Sequence, residues 1–368
     1  MSGLLTQEFT VNMGPHHPST HGVCRLILTM DGEKVVKIEP VIGYLHRSME
    51  KICENRTYAQ CVPLMDRFEY VTAMSAEYVF VNAVEKLAEI EVPERAEYLR
   101  VIMLELNRIA SHLIFYGATA MDIGALTPFI YGLRERELII DLFEMTCGQR
   151  LTYNYMKIGG VSHDIPKEFI PKCREAVKII GEKMSDYEGL LNENPIWLAR
   201  TKNVGVLPTD LAKAYGVSGP VLRASGVKYD IRKNDPYSIY DRFDFNIPCR
   251  HNGDSYDRYL LRLDEIRESL KIIIQALDGL PEGDTLKKVN PFNFKPPAGE
   301  MYSRIENSRG EMGVYIISDG TTKPLRVKMR GSSYNHVQVL PKVATGVLIA
   351  DLVATFATLD VIMPEVDR

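Results

Sequence analysis

The amino-acid sequence predicts an α+β fold in which long helices form the core and small antiparallel β-sheets lie in the N- and C-terminal parts. Short runs of β-branched residues fill the first 44 positions, whereas apolar residues recur at helical spacing through the middle of the chain. A third observation is a Gly-containing turn signal near residue 320, between two further apolar runs. With 368 residues, 45% hydrophobic, the chain has ample material for a core.

The N-terminal part, residues 1–44, is predicted to form a β-sheet. Asp31-Gly32 is typical of a hairpin turn between the second and third strands. The predicted strands lie in EFTVNMG, VCRLILTMDG and KVVKIEPVIG.

Residues 45–368 are predicted to form a helical core. This core and the N-terminal sheet are expected to be a single continuous unit, without a linker between domains. The unit contains an irregular, Gly-containing segment, 204–250, and a β-hairpin, 311–330, with its turn at Asp319-Gly320. One further apolar run, KVATGVLIADLVATFATLDVIM, is interrupted by two aspartates and is interpreted as a buried helix. Long helices are predicted from Pro93, from Pro128, from about Pro166 to Leu191, and before Gly279.

Composition and charge exclude several classes of protein. The net charge of −4 argues against a general nucleic-acid binder. The six cysteines form no CxxC pair and no apparent disulfide framework, and no signal peptide is recognised, so we expect a reducing, cytoplasm-like compartment. No apolar run reaches the roughly 18 residues of a membrane span. Work at a membrane would therefore require partner subunits.

A histidine-rich loop, NMGPHHPSTHGV, separates the first two predicted strands. His16, His17 and His21 are three of the eight histidines of the chain, and Pro15 and Pro18 restrict the backbone around them. Imidazoles in a stiff loop can bind a metal, transfer protons or stabilise a turn. The spacing alone leaves all three possibilities open, although it does not supply the complete ligand set of a zinc site.

Two more segments contain candidate functional side chains. In LMDRFEYVTAM, Arg67 and Tyr70 are three residues apart and would share one face of a helix if a helix begins there. Tyr70 is either a core residue or a phenol donor. In AMDIGALTPF, Asp122 ends an apolar run, where a carboxylate must be paired or exposed. It either closes a helix end or pairs with a histidine.

Taken together and in order, these segments resemble one family, the D subunit (49-kDa type) of respiratory complex I, the proton-translocating NADH:quinone oxidoreductase. The resemblance extends over essentially the whole chain. Its main segments are GPHHPSTHG, GYLHRSMEK, DRFEY, RVIMLELNRIASHL, DIGALTPF, RERE, GVSGPVLRASGVKYDIRK, RGEMGVYIISDG and VDR.

This family resembles the large subunit of [NiFe]-hydrogenases without the metal. Hydrogenases hold nickel through two CxxC pairs, because soft thiolates bind this metal well. Here Cys53 and Cys61 are eight residues apart and the last residues are MPEVDR, so neither pair is present. Hydrogenase activity is not expected, and no metal is assigned to this chain.

The resemblance implies a site that donates protons to a quinone. In this interpretation the catalytic residues are His21, Tyr70 and Asp122: His21 and Tyr70 hydrogen-bond the two quinone carbonyl oxygens, and Asp122 pairs with His21. His17 lines the same loop. Arg67 lies near the [4Fe-4S] cluster of a partner protein. Thr152 occupies a position where many relatives have a histidine, which predicts weaker coupling between that cluster and pH.

The same resemblance implies partners, substrates and a location. We expect the iron–sulfur B subunit, the C subunit, other peripheral-arm subunits and the membrane H subunit as partners, at the cytoplasmic face of the cell inner membrane. The substrate is a quinone, ubiquinone or menaquinone, and NADH reacts elsewhere in the complex. The chain alone should be inactive. The alternative is a structural scaffold of a related membrane-bound, hydrogenase-like complex.

Overall fold

The N-terminal sheet forms as predicted. A computed structural model describes residues 7–17, 19 and 22–368. The first sheet is antiparallel in the order β1 (Glu8–Met13), β2 (Arg25–Asp31) and β3 (Lys34–Val41). Side chains of β2 alternate between buried and half-buried, which is the pattern of a strand with one face on the core.

The long predicted helices are confirmed, with small shifts at their ends. Helix α4 is enclosed on most sides and packs against α5 and α11. The helices before the C-terminal sheet are α1 (Met49–Cys53), α2 (Tyr58–Phe68), α3 (Ala73–Leu87), α4 (Glu94–Asp122), α5 (Leu126–Cys147), α6 (Phe169–Leu191), α7 (Pro195–Thr201), α8 (Thr209–Ala214), α9 (Gly219–Ala224), α10 (Ile231–Asn234) and α11 (Ser255–Asp278).

Two small antiparallel sheets complete the β-structure. A short pair, β4 (Met156–Lys157) and β5 (Gly160–Val161), follows α5. The C-terminal sheet has the order β6 (Gly299–Asn307), β7 (Gly310–Ser318) and β8 (Arg326–Arg330). Strand β6, which the sequence analysis did not identify, pairs with β7 along its whole length.

The prediction of one buried helix over residues 342–363 is wrong. The chain instead forms α12 (Ser332–Val343), α13 (Ile349–Leu359) and α14 (Met363–Asp367). The break lies where the backbone turns to pair with β3: Val35 donates to Val347 (2.9 Å) and Gly346 donates to Val35 (2.7 Å). Gly346, at φ +85°, allows this turn, so a tertiary strand contact interrupts an apolar helical pattern.

The buried apolar residues form two clusters. The larger one joins α2–α6 and α11 to the C-terminal sheet, and the smaller one joins the N-terminal sheet to α12–α14. Across the described ranges, no helix is both long and apolar enough to cross a membrane.

Candidate functional site

Glycines shape both ends of the histidine loop. At Gly14, φ is +88° and a Cβ would lie 2.0 Å from the Cys24 carbonyl oxygen, so only glycine fits. At Gly22, a Cβ would contact the side chain of Met363 at 3.3 Å, which places the end of the loop against α14. Backbone pairing between His16 and Val23 closes the loop.

The structure describes only one of the two predicted site residues of the histidine loop. His21 lies outside the described residues, so its role stays a prediction. His17 is exposed, and its Nδ1 accepts a hydrogen bond from the Ser19 backbone N–H (3.2 Å). The described residues contain no group of three histidine, cysteine or acidic side chains that could hold a metal ion.

Arg67 and Tyr70 do not share a helix face, because the condition for it, one helix that contains both residues, is not met. Helix α2 ends at Phe68, and Glu69 has an extended backbone (φ −141°, ψ 91°). The Glu69 carboxylate then accepts hydrogen bonds from the backbone N–H groups of Val71 (3.1 Å) and Thr72 (2.8 Å). This turn directs the chain between α2 and α3, so Tyr70 lies beyond the helix that carries Arg67.

Tyr70 is half-buried beside charged groups from distant parts of the sequence. Burial raises the pKa of its phenol, Arg309 opposes this rise, and Glu69 and Asp360 add to it. A phenol with a raised pKa remains protonated at neutral pH. Tyr70 is therefore a hydrogen-bond donor in a partly dry environment.

Arg309 connects the chain segments around Tyr70. Its Nη1 lies 3.2 Å from Glu69 Oε1 and its Nη2 lies 3.3 Å from Asp360 Oδ1. Arg309, Glu69 and Asp360 are all buried. Burial raises the pKa of Glu69 to about 7, although Arg309 opposes this shift; Glu365, on α14, adds to it.

The sequence analysis missed Glu69, Arg309 and Asp360 as members of the site. The signals that could identify them are weak. Glu69 and Arg309 stand in the segments DRFEY and RGEMG, which support the resemblance without giving these two residues a role. Asp360 interrupts an apolar run of the sequence, but its left-handed conformation (φ 56°) at the end of α13 depends on the fold.

Asp122 is the last residue of α4 and is half-buried. The helix ends there because Gly124, at φ +100°, reverses the chain, with Ala125 N–H donating to the Ala120 carbonyl (2.8 Å). Its predicted partner, His21, lies outside the described residues. The pairing of Asp122 with His21 therefore stays a prediction.

A network of buried ion pairs lies deeper in the core, and two of its residues, Arg223 and His112, belong to the segments that carried the resemblance. Arg223 pairs with Glu265 and with Glu306, at 2.7 Å from the latter. Glu265 also contacts His112 Nε2 (2.8 Å). Because burial outweighs this contact, the pKa of His112 is lowered. The irregular segment 204–250 thus supplies Arg223 to the core.

Arg67 lies at a separate place, on the surface. Its guanidinium donates to the Pro63 carbonyl (2.7 Å) and to Asp66 Oδ2 (3.4 Å). It lines a pocket of about 410 Å³ that also includes Thr152 and Lys157. Tyr70 is not among the residues that line this pocket.

Comparison with known proteins supports the family resemblance that the sequence segments indicated. A family model described as the 49-kDa subunit of respiratory-chain NADH dehydrogenase matches residues 122–293 and 288–368. A relative from Clostridium beijerinckii, named as the D subunit of NADH-quinone oxidoreductase, is 50% identical over 365 residues, covering 99% of this chain and 98% of its own. Proteins of the same name from Dehalococcoides mccartyi and Bacillus mycoides are 52% and 49% identical, over 99% and 98% of this chain and 99% of theirs.

The α+β fold and these full-length matches define a component of a respiratory oxidoreductase complex. The chain belongs to the 49-kDa subunit family of NADH dehydrogenase, whose members are the D subunits of complex I. Other subunits of complex I are therefore its partners, and its assembly is a membrane complex.

Proposed function

We propose that this chain forms the quinone head-group site of complex I together with the iron–sulfur B subunit. Tyr70 and His21 donate hydrogen bonds to the two carbonyl oxygens of ubiquinone or menaquinone. Asp122 pairs with His21, and His17 lines the same loop. The names of the relatives support a quinone substrate for the complex.

The observation that carries the proposal is the environment of Tyr70. Its phenol is protonated at neutral pH, burial raises its pKa further, and the positive charge of Arg309 acts on it. Reduction of a quinone to a quinol takes two electrons and two protons, and the reduced oxygens are strongly basic until the protons arrive. A donor held in place before the electrons arrive lowers this barrier. Arg309 stabilises the negative charge that develops on Tyr70 when it gives up its proton.

Asp122 has an electrostatic role in this proposal. A carboxylate beside an imidazole favours the charged, proton-donating form of His21. Once both donors have lost their protons, Asp122 faces a neutral histidine. We infer that this uncompensated charge starts the charge movement that the membrane subunits convert into proton translocation.

Electrons reach the quinone from other subunits. We assign the [4Fe-4S] cluster to the iron–sulfur B subunit, since such clusters are held by cysteine thiolates and the six scattered cysteines of this chain form no CxxC pair. Arg67 and its surface pocket provide the face on which that partner docks. The C subunit and the membrane H subunit complete the surroundings at the cytoplasmic face of the inner membrane, and NADH is oxidised elsewhere in the complex.

The Tyr70→Phe variant of the assembled complex tests the proposal. We expect quinone reduction to fall at least tenfold, while reduction of a hydrophilic artificial acceptor by NADH is unchanged. Tyr215→Phe is the control, because Tyr215 is also half-buried but lies elsewhere in the fold. Equal quinone reduction in both variants would instead favour the scaffold alternative.

A further inference from the structure

Two carboxyl groups are in contact beneath the Arg67 pocket. Asp66 on α2 and Glu77 on α3 are both completely buried. Each carboxyl group acts directly on the pKa of the other, and the two can hydrogen-bond only if one of them is protonated. Asp66 Oδ2 lies 3.4 Å from Arg67 Nη1, and Glu77 Oε2 accepts from the Met156 N–H at 2.7 Å. The other two oxygens, Asp66 Oδ1 and Glu77 Oε1, have no ordinary donor among the described residues.

One proton shared between the two groups accounts for both unpaired oxygens. Two carboxylates in contact in a dry environment repel each other, so at least one of them stays protonated. Burial and the contact with Asp66 raise the pKa of Glu77 well above its ordinary value, and burial raises the pKa of Asp66 as well. A carboxylic acid donates one hydrogen bond, which a carboxylate cannot do.

The groups that face the pair come from every neighbouring element. Arg67 and Lys157 contribute positive charge, and the polar Asn154 backbone favours the charged form of both carboxyl groups. Cys147 and Tyr153 remain neutral, because burial raises the pKa of both. All five of these residues line the surface pocket, so the pair lies directly behind it.

Lys157 is half-buried, and its positive charge interacts with both carboxyl groups of the pair. Its Nζ donates to Asn154 Oδ1 at 2.8 Å, and burial lowers the pKa of its ammonium group. The loop that contains Thr152 and Asn154 has a positive φ, the left-handed conformation, at both residues (43° and 49°). Thr152 has no ionisable group, whereas the carboxyl pair is acidic, and the lining of the pocket also includes the imidazole of His163.

We propose that Asp66 and Glu77 hold a shared proton and form the titrating site for the electron carrier that docks at the Arg67 pocket. This inference rests on the proposed function, which assigns that carrier to the iron–sulfur B subunit. Each electron that arrives at this face adds one negative charge, and the pair takes up as much as one proton from solvent to balance it. No other bond is made or broken. The pair therefore supplies pH dependence that the replacement of histidine by Thr152 would otherwise remove.

The test is the pH dependence of the midpoint potential of the terminal iron–sulfur cluster in the assembled complex. In the unmodified complex we expect the potential to fall as pH rises. Glu77→Gln keeps the side-chain size and donates an amide hydrogen to Asp66, but it removes the shared proton, so the slope should be lost. Glu144→Gln is the matched control. It removes an exposed carboxyl group of α5 that pairs with Arg150, and it should keep the slope.

A second variant leaves the buried contact intact. Lys157→Gln removes a positive charge near the pair, so the pH range over which the potential changes should move upwards.

An infrared difference spectrum between reduced and oxidised complex should also contain a protonated-carboxyl band that Glu77→Gln abolishes.

A pH-independent potential in the unmodified complex would overturn the inference, as would a slope that neither variant changes. If Tyr70→Phe still abolishes quinone reduction in that case, the proposed function stands and only the carboxyl pair is misassigned.

Discussion

Arg309 on the turn between β6 and β7 forms a buried ion pair with Glu69, whose carboxylate oxygen lies 3.2 Å from the guanidinium. The two residues are 240 positions apart and both border Tyr70. Because Glu69 also binds the backbone of Val71 and Thr72, this contact connects the C-terminal sheet to the turn that positions Tyr70.

Glu69 should make stability depend on pH. Its pKa rises from 4.5 to about 7 on folding, so the folded chain binds the proton more tightly than the unfolded chain. This contribution is complete below the unfolded pKa and is lost as pH rises through the folded value, with a limit on the order of 3 kcal/mol. Thermal unfolding between about pH 5 and pH 8 should show a smaller pH dependence in Glu69→Gln. An unchanged dependence would contradict the assignment.

Arg223 should be much more important for stability than an exposed arginine. Arg223→Ala leaves the carboxylates of Glu265 and Glu306 buried without their cation, which typically costs about 3–5 kcal/mol. Arg304→Ala is the control, because its pair with Asp235 is partly exposed and is expected to contribute at most about 1 kcal/mol. Pulse proteolysis in urea compares the two free energies of unfolding, and similar losses would disprove the claim.

Gly14 should be irreplaceable at the base of the histidine loop. Gly14→Ala places a methyl group 2.0 Å from the Cys24 carbonyl, so the loop must move. We expect quinone reduction by the complex to fall at least tenfold while artificial-acceptor activity is kept. Gly32→Ala has a comparable positive φ but open space around the new Cβ, and it controls for backbone strain. Full quinone activity in Gly14→Ala would show that the loop position is unimportant.

Asp122→Asn tests the charge role of the α4 terminus. Without the carboxylate the pKa of His21 should fall, so the pH optimum of quinone reduction should move to lower pH and the pumping stoichiometry should drop. Asp278→Asn is the control, since Asp278 also ends a long helix but pairs with Arg174 at the surface. Retention of both full quinone reduction and full pumping in Asp122→Asn would refute the role in charge movement.

The sequence by itself determined the elements whose patterns are local. Strands β1–β3 follow from β-branched runs and turn signals, and α4, α5, α6 and α11 follow from apolar residues at helical spacing. These patterns can be recognised in the sequence because the apolar residues on the buried face of a strand or helix recur at a fixed period. The family resemblance likewise depends only on the order of residues.

Only the tertiary structure decided which charges meet. The break before α13 depends on backbone pairing with β3, far away in the sequence. Arg309 reaches Glu69 and Asp360, and Asp66 reaches Glu77, because separate elements pack together around them. Burial then changes the proton affinities of these groups, and burial is a property of the packed molecule rather than of any segment. The sequence therefore predicts where donors stand along the chain, whereas packing decides which of them hold a proton.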